Sequence, residues 1–237
     1  MAPNYRLYDL DADFRLDELP PEPLAAATEQ RVAAIWANET QARGTGLYDG
    51  RIYTLIEYAR NCLTVRAMRY RHLIGRRRAP ELALAGLALR PLGVTGLLTC
   101  PDGIVLGRRA AHVAADPGLW EPTPAGSLDR LDPAALLLDE LCEELGLIPA
   151  QVTPPVACGL IEDLASGVVD ILFRLETDLD AAAVDAAHRA RGSGEYTEIA
   201  VVAPAELPAF LAAHESALLP ILRGMLRQGG FLRDSPG

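Results

Sequence analysis

The stretch DELCEELGL, residues 139 to 147, constrains this chain more than any other. Read as the end of a helix capped by Gly146, it sets Leu137, Leu138, Leu141, Cys142 and Leu145 along one side and Asp139, Glu140, Glu143 and Glu144 along the other. The apolar stripe must face a core. The acidic stripe is harder to place, because carboxylates near a helix C-terminus meet the negative end of the macrodipole. Asp139 with Glu143 and Glu140 with Glu144 are also like charges four residues apart, and no Lys or Arg lies within the segment. Two environments accommodate such a face. One is solvent, as on any amphipathic helix; the other is a divalent cation, on which carboxylates three and four residues apart converge. Upstream, Asp132 and Pro133 read as the N-cap and first helical position.

Around this helix, strands and helices interleave. YRLYDL at residues 5 to 10 reads as a strand and LPPEP as a turn. A helix is predicted over about 24 to 43, with Val32, Ile35 and Trp36 on one face and Gly44-Thr45-Gly46 as its stop. RIYTLIEYA and NCLTVRAM read as a strand pair, and LGVTGLLTC, PDG and IVLGRRA as strand, turn and strand. CGLIED, VVDILFRLE and EIAVVAP are further strands, and one helix is expected from about Glu206 through PAFLAAHESALLPILRGML. The class is α/β or α+β, with a division near residue 90 into an extension, 1–90, and a main domain, 91–237.

With 237 residues, 50% of them hydrophobic, the chain can build a sizeable core. A net charge of −10 argues against nucleic acid as a partner. MAPNYRLYDLDADFR has neither the basic nor the apolar region of a secretory signal, and no apolar run approaches the roughly 18 residues of a membrane span, so a cytoplasmic location is expected. Cys62, Cys100, Cys142 and Cys158 have neither zinc-ligand nor disulfide-framework spacing and read as buried free thiols. Trp120 reads as a core or loop anchor.

The acidic segment resembles the C-terminal half of the Nudix box, in which R-E-U-x-E-E-x-G-U follows a leading glycine and a first glutamate. Glu140, Leu141, Glu143, Glu144, Gly146 and Leu147 match that half, Gly126 fits the leading glycine, and GLLTCPDGIVLGRRA fits the preceding strands. The likeness spans about residues 92 to 215. Two positions depart from it: Asp139 stands where the family has Arg, and the spacer after Gly126 is one residue short, so Asp132 takes the place of the first glutamate only if that spacer contracts. The resemblance implies a Nudix-type α/β/α sandwich with a mixed sheet, and hydrolysis of a diphosphate linked to another moiety, assisted by Mg2+ or Mn2+. It implies Glu143 and Glu144 as metal ligands, Glu140 as a ligand or the general base, and the Gly126 carbonyl as a further ligand. GSGEYTE offers Glu195 or Glu198 as a base from a later loop.

Arg108 and Arg109 close a strand, and alternation would turn one towards the diphosphate and the other to solvent. TVRAMRYRHLIGRRR, residues 64 to 78, holds six arginines, read either as surface charge or as a basic wall at the site's mouth, with Arg69 and Arg71 as candidate substrate contacts. The order of elements in residues 1–90 also resembles the amino-terminal region of UDP-glucose pyrophosphatase within the same superfamily. The implied partner is therefore a small-molecule diphosphate: a nucleoside diphosphate sugar, or alternatively a prenyl or other non-nucleotide diphosphate. A ligand-binding module without catalysis is the third reading, motivated by Asp139 and the short spacer. Oligomeric state is open, a homodimer included.

Overall fold

The structure is a computed structural model that describes residues 3–43, 47–113 and 115–232. Its centre is a mixed sheet built from β1 (Tyr5–Tyr8), β5 (Leu92–Cys100), β6 (Gly103–Arg109), β7 (Trp120–Pro122), β8 (Ala125–Ser127), β9 (Val156–Asp163), β10 (Val169–Glu176) and β11 (Tyr196–Val202). The long strands run in the order β1-β9-β10-β5-β6-β11, while β7 pairs with β6 and β8 with β5. Within this sheet, among the described residues, only the β10–β5 strand pairing is parallel, with Val169 opposite Leu92 and Asp170 opposite Gly93.

Strand alternation divides the core between the two faces of this sheet. Val94, Leu98, Ile171 and Phe173 pack on one face with Leu137, Leu141 and Leu145 of α3 (Pro133–Leu145) and Val184 of α4 (Ala181–Arg191). Leu97, Leu106 and Leu172 point the other way, against α5 (Leu207–Ala213) and α6 (Leu222–Gln228). The result is the expected sandwich: a mixed sheet between helices, with an N-terminal α+β extension.

The extension contributes a second sheet of β2 (Arg15–Leu19), β4 (Cys62–Arg69) and β3 (Arg51–Ala59), in that order, and the helices α1 (Ala26–Arg43) and α2 (Tyr70–Arg78). Tyr53, Leu55, Leu63 and Val65 join the same apolar cluster as Val94 and Leu137. Backbone hydrogen bonds tie the sheets together: the Tyr53 N–H donates to the Leu128 carbonyl at 3.0 Å and the Leu55 N–H to that of Arg90 at 2.8 Å. The predicted helix stop at Gly44-Thr45-Gly46 lies outside the described residues.

One expectation is corrected near the C-terminus. The single helix expected from Glu206 is two, α5 and α6, because Pro220 has no N–H to donate and the chain before it turns to bond with Trp120. Leu218 forms a parallel bridge with Trp120, and the Leu219 N–H donates to the Trp120 carbonyl at 2.9 Å. Trp120, 2% exposed, is the anchor expected, with Phe210 edge-on at 5.3 Å between ring centroids. The four cysteines are free, and half-buried rather than buried. Among the described residues no helix is long and apolar enough to cross a membrane.

Candidate active site

Helix α3 is placed by the signals that predict it. Asp132 accepts from the Ala135 N–H at 3.0 Å as N-cap, and Gly146 ends the helix in the left-handed conformation at φ 66°. Asp132 is thereby occupied as a cap. Past the C-terminal turn, the Glu144 carbonyl, which no helical N–H can reach, meets His188 Nδ1 of α4 at 3.0 Å. With both ends held and its leucines in the core, the helix presents its acidic side to the short strand β8.

There Glu140 lies against Gly126. A Cβ built on Gly126 would fall 2.1 Å from Glu140 Oε1, so only glycine permits this approach. Burial, reinforced by Glu143 and Glu195, pushes the Glu140 carboxyl up to about 7. Glu144, one turn later, is 1% exposed. Its Oε2 accepts from the Ala125 N–H at 3.0 Å and from Thr123 Oγ1 at 3.4 Å, while its buried Oε1 has no partner among the described residues. Burial raises this carboxyl well above the ordinary range, with Glu195, Glu140 and Glu121 adding repulsion.

Gly126 and Glu140 line a cavity of about 570 Å³, together with Arg109, Glu121, Glu195 and Asp170. Strand alternation at the end of β6 turns Arg109 inward and Arg108 outward. Arg109 Nη1 donates to Glu121 Oε1 at 2.5 Å and its Nη2 to Glu195 Oε1 at 3.1 Å, while Tyr196 Oη donates to Glu121 Oε1 at 2.9 Å. Arg109 is half-buried, and against that desolvation Glu121, Tyr196 and Glu195 hold it charged. Arg108 instead bonds to the Gly118 carbonyl at 3.3 Å and faces Glu198 at 3.7 Å, both charged groups being exposed. Of the two glutamates in GSGEYTE, Glu195 is the one on the cavity wall.

Other candidate residues are placed apart from this wall. Glu143 is exposed on α3, and Arg69 and Arg71 converge on Asp49 at 3.3 and 3.7 Å. Neither arginine lines the cavity; from the same basic run it is Arg77 that does. Asp139 accepts from Arg130 Nη1 at 2.6 Å, an ion pair with the loop before the helix.

Glu121, Arg77 and Asp170 were not among the candidates read from sequence. For Asp170 a signal existed: it is the one charge within the apolar run VVDILF of β10. The strand places it beside Gly93, where a Cβ would fall 2.2 Å from its Oδ1. Glu121 carried a weaker signal, following directly on a tryptophan that must be buried.

Among the described residues no three Asp, Glu, His or Cys side chains already stand at metal-binding spacing. The donor chemistry nonetheless suits a hard cation: carboxylates and a backbone carbonyl, with Glu144 Oε1 buried and unpartnered. Burial first, and then repulsion from neighbouring carboxylates, raise both Glu140 and Glu144, and such an ion would relieve that repulsion.

No known protein family's sequence profile matches the chain, and no curated protein matches it. Solved structures do show likeness. DR0079 from Deinococcus radiodurans is similar at a TM-score of 0.44 and 16% identity, over 57% of this chain and 81% of that one. The MutT protein from Methanosarcina mazei Go1 is similar at 0.41 and 19%, over 59% and 91%. A Nudix hydrolase from Nitrosomonas europaea is similar at 0.41 and 15%, over 59% and 87%. These are likenesses of chain path.

Proposed function

We propose that this chain is a Nudix-type pyrophosphohydrolase, cleaving with Mg2+ or Mn2+ a diphosphate joined to a second moiety, with a nucleoside diphosphate conjugate such as a UDP-sugar as the substrate class. The observation that carries the reading is the packing of Glu140 on Gly126, beside a buried Glu144 whose Oε1 is unpartnered. An apo helix gains nothing from burying two repelling carboxylates near its C-terminus, whereas a cation-binding helix requires them there.

In this reading Glu140, Glu144 and the Gly126 carbonyl hold metal, with Glu143 at the exposed margin. Bound metal would neutralise the diphosphate and polarise the attacked phosphorus. Glu195 is the general base: Arg109 holds one carboxylate oxygen at 3.1 Å, leaving the other to take a proton from water. Water attacks phosphorus, the bridging P–O bond breaks, and the leaving phosphate departs with the bond's electrons. Arg77, which has no ion pair or hydrogen bond among the described residues, is the cation at the wall available to a phosphate oxygen.

The experiment is a screen of nucleoside diphosphate sugars, dinucleoside polyphosphates and prenyl diphosphates with Mg2+ and Mn2+, read by mass spectrometry of the products. Hydrolysis that requires metal and is lost in Glu144→Gln is expected. Absence of turnover on every diphosphate would leave a binding module and defeat the hydrolase reading.

A further inference from the structure

Asp170 is an acid of the cavity wall that stands on a strand of the central sheet without a protein partner. Glu121 and Glu195 are taken by Arg109, and Glu140 packs on Gly126, but Asp170 makes no hydrogen bond or ion pair among the described residues. It sits where strand alternation calls for an apolar side chain: Leu172, two residues on, points to the same face and enters the core under α5 and α6. A half-buried carboxylate in that lane gives up part of its hydration with no compensating partner from the protein and opens instead to the cavity.

Its surroundings describe the missing partner. Gly93, opposite it on β5, leaves the space in which a Cβ would collide with Asp170 Oδ1 at 2.2 Å and approach the Gly126 carbonyl at 3.2 Å. The Gly126 carbonyl lies in the β8–β5 ladder opposite Val94, so of the two oxygens it is the Asp170 carboxylate that has no protein donor among the described residues. The same cavity is walled by Leu219, Ile221 and Met225 from the α5–α6 segment. An occupant must therefore donate hydrogen bonds on one side and tolerate apolar contact on another.

We propose that Asp170 is a specificity-determining residue that accepts hydrogen bonds from hydroxyl or N–H groups of the moiety attached to the diphosphate, so that the site takes a sugar or nucleoside conjugate rather than an isoprenoid one. This deepens the hydrolase reading above and rests on it for the position of the diphosphate. An isoprenoid chain would leave the carboxylate unserved. A sugar or a nucleobase offers donors at its edge and an apolar face for the leucine, isoleucine and methionine.

The test uses UDP-glucose and ADP-ribose as donor-rich probes and geranyl diphosphate as a probe with no donor beyond its diphosphate, on wild type, Asp170→Asn and Asp170→Leu. Asp170→Leu is expected to raise KM for at least one donor-rich probe about 10- to 100-fold with kcat nearly kept, and Asp170→Asn, which retains a neutral acceptor, by less. KM for geranyl diphosphate and the calorimetric Mn2+ affinity should not weaken in either variant. An unchanged KM on both donor-rich probes overturns the proposal, as does an equal loss on all three probes. A fall in Mn2+ affinity would instead make Asp170 a metal ligand and overturn it too. Should wild type hydrolyse nothing, the hydrolase reading fails separately, and calorimetric binding of ADP-ribose and UDP-glucose decides: binding weakened by Asp170→Leu sustains the proposal, and no binding to wild type ends it.

Discussion

Two charged regions of this molecule look alike in sequence and are resolved in opposite ways. The arginine run of residues 64 to 78 is largely matched: Arg66 meets Glu22 at 2.5 Å, Arg69 and Arg71 share Asp49, and Arg78 meets Glu39 at 2.6 Å. The acidic side of α3 is not. Asp139 alone has a cation, while Glu140 and Glu144 face burial and each other. A run of charge whose partners are present in the fold is explained by the fold. One that is buried and unmatched points to something the chain itself does not contain.

Removing the unmatched charges is the severest way to test that difference. Glu144→Gln and Glu140→Gln are each expected to lower metal-dependent hydrolysis by roughly a thousandfold, about 4 kcal/mol of transition-state stabilisation. The melting temperature of the metal-free protein should hold or rise, because repulsion near a helix C-terminus is relieved. Steady-state rates with Mn2+ and a thermal melt without it check both halves. Near-native turnover in both variants would erase the contrast between the two regions.

Asp170 extends the comparison to stability. Burial, then Glu121 and Asp163, push its carboxyl from 3.8 to about 7. A raised carboxylate pKa means that the fold prefers the protonated form. The destabilisation is therefore absent below about pH 3.8, grows as pH rises, and is complete above about 7, reaching on the order of 4 kcal/mol. Asp170→Asn should accordingly melt higher than wild type at pH 8 and level with it near pH 4. Chemical denaturation at the two pH values measures this, and equal shifts at both would show that Asp170 is solvated.

How much of this was legible in sequence depends on where the stabilising partner lies. The acidic helix was readable from Asp132, Pro133, Gly146 and its leucine spacing, because cap and stripe are local. Helix α2 was not, since YRHLIGRRR is polar and buries His72, Leu73, Ile74 and Gly75 against partners distant in sequence, including Val32 of α1. Helix α4 was read only as a polar, alanine-rich segment: within AAAVDAAHRAR just Val184 and His188 are buried. For the site, Glu140, Glu144 and Gly126 form a spaced pattern on adjacent elements. Asp170 and Arg77 reach the cavity through strand pairing and helix packing, which spacing alone does not encode.

Within the arginine run, the comparison can be sharpened one residue at a time. Arg77→Ala should raise KM for a diphosphate substrate about tenfold to a hundredfold with little change in kcat, as expected for a lost charge-assisted contact. Arg69→Ala and Arg71→Ala, whose side chains are spent on Asp49, should leave KM within about twofold. The reverse ranking would move the anion contact back to the positions first suggested by sequence.

The smallest effect is expected at Asp139, the departure from the Nudix pattern that most questioned catalysis. Its pair with Arg130 is 2.6 Å long but exposed at both ends, 43% for Arg130 and 65% for Asp139, so its contribution lies within about 1 kcal/mol. Asp139→Arg sets two guanidinium groups against each other and should lower the melting temperature slightly while leaving the fold intact. Adding Arg130→Asp reverses the pair and should recover most of that loss, giving a coupling energy of a few tenths of a kcal/mol in a double-mutant cycle. The cycle also reads chemistry, because Arg130 is close enough to lower the proton affinity of Glu140. If cation placement near Glu140 is what matters, the reversed pair keeps metal-dependent turnover, since the guanidinium introduced on the helix would supply the charge that the loop gave up. A reversed pair that folds normally yet loses turnover would show that the loop position of Arg130, and not the charge alone, sets the geometry around Glu140.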